Sequence, residues 1–155
     1  MSAATRFMCV CSTCFFLAAC GGSGGGSDRQ QIQKMFSSVD SEMAKGDYAS
    51  ACNYFSQRQQ SNIATGARKA GLNVNSCAGA LTALIKATGI TRAQLAQTFG
   101  GAATPKLKTV NVKGNQATVT LTDSIGGHAY TETDALVREN GQWRADRIIK
   151  RTNTG

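Results

Sequence analysis

The 155-residue chain has few of the residues that metal and phosphate chemistry needs. It contains a single histidine, His128, whereas zinc sites usually combine several histidine and cysteine ligands at short spacings. It also offers no glycine-rich phosphate loop, no paired metal ligands and no Ser-His-Asp arrangement. The sequence therefore predicts no metal and no cofactor, and it carries no catalytic signature.

The N-terminal apolar run is too short to cross a membrane. It extends over the thirteen residues Phe7–Ala19, and a membrane-spanning helix needs about 20. Its length, and the single positive charge of Arg6 before it, are typical of a secretory signal peptide. We therefore predict that residues 1–19 are a signal peptide and that the protein is exported.

The run LAAC at residues 17–20 resembles the lipobox of bacterial lipoproteins. In that class the cysteine thiol takes a diacylglyceryl group, and cleavage then makes the cysteine the first residue. The resemblance implies that Cys20 is lipidated and anchors the protein to the cell membrane or the outer membrane. Residues 20–27 would then be the lipidated cysteine and a flexible Gly/Ser linker. The alternative is an ordinary signal peptide that ends near a cysteine.

Two cysteines remain once the signal peptide and the lipidated residue are set aside. These are Cys52 and Cys77, and helical spacing points both at the core. A disulfide between them is expected in an oxidising compartment. The alternative is two buried free thiols that act as small hydrophobes. No CxxC motif follows residue 20.

The chain is basic, with 17 Lys and Arg against 9 Asp and Glu and a formal charge of +8. Its positive charges are spread out and are not collected in one run. Because an exported protein does not meet nucleic acid, we expect no nucleic-acid partner. Anionic lipid headgroups or envelope polymers are the candidate partners. A solvated basic surface without a partner is the alternative.

Residues 28–155 have the length of one domain, and its first part has helical periodicity. Four helix starts are predicted from N-capping signals, at residues 27–30, Asp47, Ser76 and residues 91–94. A short helix around Ile63 and Ala67 is a further expectation.

After residue 101 the apolar period changes from helical to two, which predicts four strands. Gly114-Asn115 and Asn140-Gly141 are typical two-residue hairpin turns. Five cross-strand pairs are predicted from these turns: Val112 with Ala117, Val110 with Val119, Arg138 with Trp143, Leu136 with Ala145, and Asp134 with Arg147. The third would be a cation–π pair and the last an ion pair.

The segments 46–52 (GDYASAC), 54–56 (YFS) and the strand block 117–148 resemble the nuclear transport factor 2-like superfamily, which includes ketosteroid isomerase-like and polyketide cyclase-like members. The resemblance implies an α+β fold, with N-terminal helices packed on a curved four-stranded antiparallel sheet that leaves a conical pocket. Enzymes of this superfamily place an acid or base in the pocket. Here the helices all precede the strands, which departs from the arrangement of the enzymes.

Candidate pocket groups lie along the second and third predicted strands. The weak catalytic candidates are His128, Tyr130 and Glu132, together with Asp123 and Asp134, and none falls in a motif that aligns with the enzymes. Each also has a structural interpretation as a turn-edge, packing or surface residue. The favoured hypothesis is a lipoprotein whose domain binds a small apolar ligand or an envelope protein without catalysis. The alternatives are an isomerase- or cyclase-type enzyme and a structural module that forms a homodimer.

Overall fold

The computed structural model describes residues 24–100, 105–125 and 128–153. The predicted signal peptide, residues 1–19, and the predicted lipidation site, Cys20, lie outside the described residues. No helix in these ranges is long and apolar enough to span a bilayer.

Within the described ranges, five α-helices come first, and side-chain caps explain where four of them begin. The Asp47 carboxylate accepts a hydrogen bond from the backbone N–H of Ser50 at 3.0 Å, which makes Asp47 the N-cap of the second helix, as predicted. Ser56 and Ser76 are N-caps whose hydroxyls accept a hydrogen bond from the backbone N–H three residues later. Thr91 forms a capping box with Gln94. The helices are α1 (Gly24–Lys45), α2 (Tyr48–Cys52), α3 (Gln57–Lys69), α4 (Cys77–Thr88) and α5 (Arg92–Leu95), and α5 continues into a π-helical turn, Ala96–Gly100.

Helix α1 begins earlier than the sequence predicts. It starts at Gly24, whereas the capping signal at residues 27–30 predicts a start near Asp28. Ser27 lies inside the helix, where its hydroxyl accepts a hydrogen bond from the side chain of Gln31 at 3.2 Å. Because each residue added to a formed helix adds one backbone hydrogen bond, α1 extends into the last four residues of the predicted linker.

The strands that the structure describes form one antiparallel sheet in the order β1-β2-β3-β4. Their bounds are β1 (Lys106–Lys113), β2 (Gln116–Ile125), β3 (His128–Glu139) and β4 (Gln142–Asn153). The architecture is therefore α+β, with N-terminal helices packed on a four-stranded antiparallel sheet, as the sequence predicts.

Two tight turns set the register close to the hairpin ends. Gly114 has φ +58°, and Asn140 and Gly141 have φ +52° and +77°, the left-handed region that such turns require. Four of the predicted pairs are found: Val112 with Ala117, Val110 with Val119, Arg138 with Trp143, and Leu136 with Ala145.

The fifth predicted pair, Asp134 with Arg147, is wrong. Beyond the turn-proximal pairs, β3 and β4 shift register at two places, because β-bulges insert extra residues into one strand. Arg147 consequently lies opposite Ala135, and Ile148 lies opposite Asp134. Asp134 thus has no ion-pair partner among the described residues.

The hydrophobic core lies between α1 and the sheet. Ile32 and Met35 of α1 are buried against a cluster that includes Val119, Leu136 and Trp143. The Arg138 guanidinium lies 4.4 Å from the centre of the Trp143 ring, so the predicted cation–π pair is present. Trp143 is accordingly a packing residue of the sheet.

Two connections hold the smaller helices against this core. Cys52, at the end of α2, and Cys77, at the start of α4, are joined by a disulfide, with their Cα atoms 6.1 Å apart. The backbone N–H of Ser56 donates to the carbonyl of Ala145 at 2.8 Å. Its hydroxyl donates to Asp146 Oδ1 at 2.7 Å. The segment between α2 and α3 is therefore fixed to the edge of β4.

Candidate functional site

A cavity of about 250 Å³ lies between α1 and the face of the sheet on which α1 packs. One part of its wall is apolar, formed by Phe36, Val39, Phe55, Phe99, Pro105, Leu121, Ala145 and Ile148. The polar part comprises Asp40, Gln59, Asp123, Tyr130, Glu132, Asp134, Arg147 and Arg151. Tyr130, Glu132 and Asp134 are alternate residues of β3. They meet in the cavity because every second side chain of a strand points to the same face.

Tyr130 and Asp123 form a hydrogen-bonded pair on neighbouring strands. The phenol hydroxyl donates to Asp123 Oδ2 at 3.1 Å. Burial, and then the charge of Asp123, raise the pKa of Tyr130 far above its usual value. The phenol therefore stays neutral, and its one proton is committed to Asp123.

Glu132 is a buried carboxylate that is compensated by Arg151. The Arg151 Nε donates to Glu132 Oε2, and the same guanidinium lies 4.7 Å from the centre of the Tyr130 ring. Burial by itself would lower the pKa of Arg151, but the hydrogen bond and charge of Glu132 raise it above its usual value. Glu132 and Arg151 are thus an ion pair within the cavity wall.

Asp134 is the most buried acid of the cavity. Its exposed fraction is 4%, and Asp134 Oδ1 has no hydrogen-bond partner among the described residues. Burial, together with the charge of Glu132 and a hydrogen bond to it, raises the pKa of Asp134 to about 8. At neutral pH the carboxyl is therefore protonated, with one oxygen still free to accept a hydrogen bond.

Asp40 is a site residue that the sequence analysis missed. It reaches the cavity from α1, and burial followed by the charge of Asp123 raises its pKa to about 7. The signal was available, since Asp40 lies four residues after Phe36 and three before Met43. That spacing places a carboxyl on the apolar stripe of the helix.

The candidates chosen from sequence separate into two groups in space. Asp123, Tyr130, Glu132 and Asp134 meet in the cavity, so their face of the sheet is enclosed. His128 is exposed at the first position of β3 and does not line the cavity.

The cavity can hold a small molecule that matches an apolar wall and an acidic side. Its carboxyl oxygens can accept hydrogen bonds, and a buried acceptor without a partner is costly to a folded protein. Among the residues that the structure describes, no three His, Cys, Asp or Glu side chains are placed to hold a metal ion.

Comparison with known proteins adds a likeness of fold. The chain is similar to the crystal structure of an NTF2-like protein of unknown function from Shewanella baltica OS155. The two share 11% sequence identity with a TM-score of 0.47, and the match covers 86% of this chain and 99% of the other. No protein-family model matches the chain, and a search of curated proteins finds no match.

Proposed function

We propose that the domain binds, without catalysis, a small molecule that combines an apolar body with a hydrogen-bond donor. The observation that carries this proposal is Asp134 Oδ1, a buried acceptor with no partner in the described part of the chain that lines a cavity of about 250 Å³. A ligand donor would satisfy that oxygen, and the aromatic and aliphatic wall would cover the rest of the ligand.

Binding is favoured over catalysis because two of the candidate catalytic groups are already engaged. Tyr130 donates a hydrogen bond to Asp123, and Glu132 is paired with Arg151. A general acid or base must be free to exchange a proton with the substrate. The groups left for a ligand, Asp134 and Asp40, are best suited to accept hydrogen bonds from it.

Filling the cavity from α1 is expected to weaken ligand binding. The probe is 2-phenylethanol, whose hydroxyl can donate to Asp134, and binding is followed by isothermal titration calorimetry. Val39 lines the cavity, so the larger side chain of Val39→Trp would occupy the space of the probe. We expect the affinity to fall by at least about tenfold, equivalent to about 1.4 kcal/mol.

Gln30→Trp is the matched control for this experiment. It introduces the same side chain on the same helix at an exposed position. The control should bind 2-phenylethanol as the unmodified protein does. Equal binding by Val39→Trp and the unmodified protein would place the probe elsewhere and contradict the proposal.

We further propose that Cys20 is lipidated and tethers the exported domain to a membrane. The proposal is supported by the run LAAC at residues 17–20 and the apolar run before it. Because acyl chains on the cysteine would supply the attachment, Cys20→Ala is expected to move the protein from the membrane pellet to the soluble fraction after ultracentrifugation. Ser23→Ala, in the same segment, is the control and should stay in the pellet. Continued sedimentation of Cys20→Ala with membranes would refute lipid anchoring.

One observation favours proton-transfer catalysis of the isomerase type as a second candidate. The pKa of Asp40 is raised to about 7 by burial and by Asp123, which suits a general base at neutral pH. Exchange of the α-hydrogens of cyclohexanone in D₂O, followed by NMR, separates the two functions. A rate equal to buffer supports simple binding. A faster rate that Asp40→Asn removes supports the enzyme.

A further inference from the structure

The acids of this basic protein are unevenly distributed. The whole chain has 9 Asp and Glu against 17 Lys and Arg. Four of those acids, Asp40, Asp123, Glu132 and Asp134, line the one cavity between α1 and the sheet. With all four acids ionised, their charge exceeds that of the two arginines in the wall by two, so the cavity is then negative in an otherwise positive molecule.

Arg147 and Arg151 are the two arginines of the cavity wall, and they offset part of this excess. Arg151 is engaged with Glu132, and Arg147 is exposed and forms no salt bridge with a described residue. Asp123 accepts hydrogen bonds from two neutral donors, the Tyr130 hydroxyl and the backbone N–H of Ser124.

Asp40 and Asp123 line the same cavity, and neither forms a salt bridge with a described residue. The charge of Asp123 raises the pKa of Asp40, as does burial. Two neighbouring carboxyls without a counterion are the arrangement that a bound cation would relieve.

Asp134 supplies an independent indication of a ligand. Its exposed fraction is 4%, and its Oδ1 is unpartnered in the described residues. An N–H group of a ligand could donate to this oxygen. The opposing wall, which includes Phe36, Phe55 and Phe99, suits an apolar or aromatic body, and aromatic faces also attract cations.

We propose that the ligand of the cavity is a small primary amine, an ammonium group on an apolar or aromatic body, held on the side of Asp40, Asp123 and Asp134. This inference rests on the ligand-binding function proposed above and specifies its chemical class. A ligand with a carboxylate or phosphate is disfavoured, because its charge would be repelled by the same acids.

The pH dependence of binding follows from the groups that face Asp40. These are Asp123 from β2, Tyr130, Glu132 and Asp134 from β3, and Arg147 and Arg151 from β4. Tyr130 stays neutral and Arg151 stays positive through the neutral range, because the pKa of each is raised. The charge of the cavity therefore becomes more negative as pH rises past 7, through Asp40, and then through Asp134. Affinity for an ammonium group should rise with it.

The experiment compares 2-phenylethylamine with its neutral counterpart 2-phenylethanol, using calorimetry on the full-length protein. The amine stays protonated at both about pH 5.5 and about pH 8.5, whereas Asp40 and Asp134 ionise between them. We expect amine affinity to be about tenfold higher at the upper pH, and alcohol affinity to change less than about twofold. Asp40→Asn should lose the part of the gain for the amine that comes from Asp40 and keep the part that comes from Asp134.

Glu42→Gln is the matched control, since it removes an acid of α1 that pairs with Lys45 and does not line the cavity. It should keep the pH dependence of the unmodified protein. Equal, pH-independent binding of amine and alcohol would overturn the amine assignment and leave the ligand-binding function standing. Failure of both probes to bind at either pH would overturn the ligand-binding function itself.

Discussion

Replacing both Cys52 and Cys77 by alanine is expected to lower the free energy of unfolding by about 3.5 kcal/mol in the chain-entropy model. The disulfide joins residues that are 25 apart in sequence. Without the bridge, the unfolded chain regains the conformational freedom that the closed loop denies it. Both side chains are 4% exposed and small, so their truncation adds little to this loss. Urea unfolding followed by circular dichroism measures the difference.

A reductant provides the internal check on this expectation. The unmodified protein in excess dithiothreitol should unfold at the urea concentration that unfolds the double variant in its absence. Ser76→Ala is the matched control, because it removes the N-cap of α4 beside Cys77. It should cost about 1 kcal/mol with or without reductant. A double variant as stable as the unmodified protein would show that the bridge contributes nothing.

The parts of the fold that sequence predicts best are those determined by neighbouring residues. Asn140-Gly141 adopts positive φ at both positions, so it fixes the pair Leu136–Ala145 a few residues away. Farther from the turn, the pairing depends on bulges in β4, which shift the register at two places. No local residue pattern predicts those bulges, and the partner of Asp134 was therefore predicted wrongly.

The part of the candidate site that lies on a single strand, β3, was predictable from the sequence. Strand alternation places Tyr130, Glu132 and Asp134 on the same face, and the structure encloses that face. Whether the face meets solvent or a helix depends on how α1 crosses the sheet, which no residue of β3 encodes. Asp40 belongs to α1, so its place in the cavity depends on how α1 packs on the sheet. The sequence of β3 could not predict it.

Asp134→Asn is expected to stabilise the protein progressively as pH rises from about 5 to about 8. In the unfolded chain the carboxyl ionises near its usual pKa of 3.8, whereas burial and the charge of Glu132 raise the folded pKa to about 8. Between these values the unfolded state has lost a proton that the folded state keeps. The free energy of unfolding of the unmodified protein therefore falls with rising pH, and asparagine has no proton to lose.

The magnitude and the control follow from the same linkage. Each unit of pKa difference corresponds to about 1.4 kcal/mol, so the variant should gain at least about 2 kcal/mol on the unmodified protein across this pH range. Asp40, whose pKa is also raised, is present in both proteins, so its effect on the difference cancels.

Asp47→Asn is the control. Hydrogen bonds from Ser50 lower the pKa of Asp47, so the stability that Asp47 contributes is lost only as pH falls toward that lowered pKa. Urea unfolding at three pH values makes the comparison. Parallel curves for Asp134→Asn and the unmodified protein would mean that the pKa of Asp134 is not raised in the folded state, and would contradict the prediction.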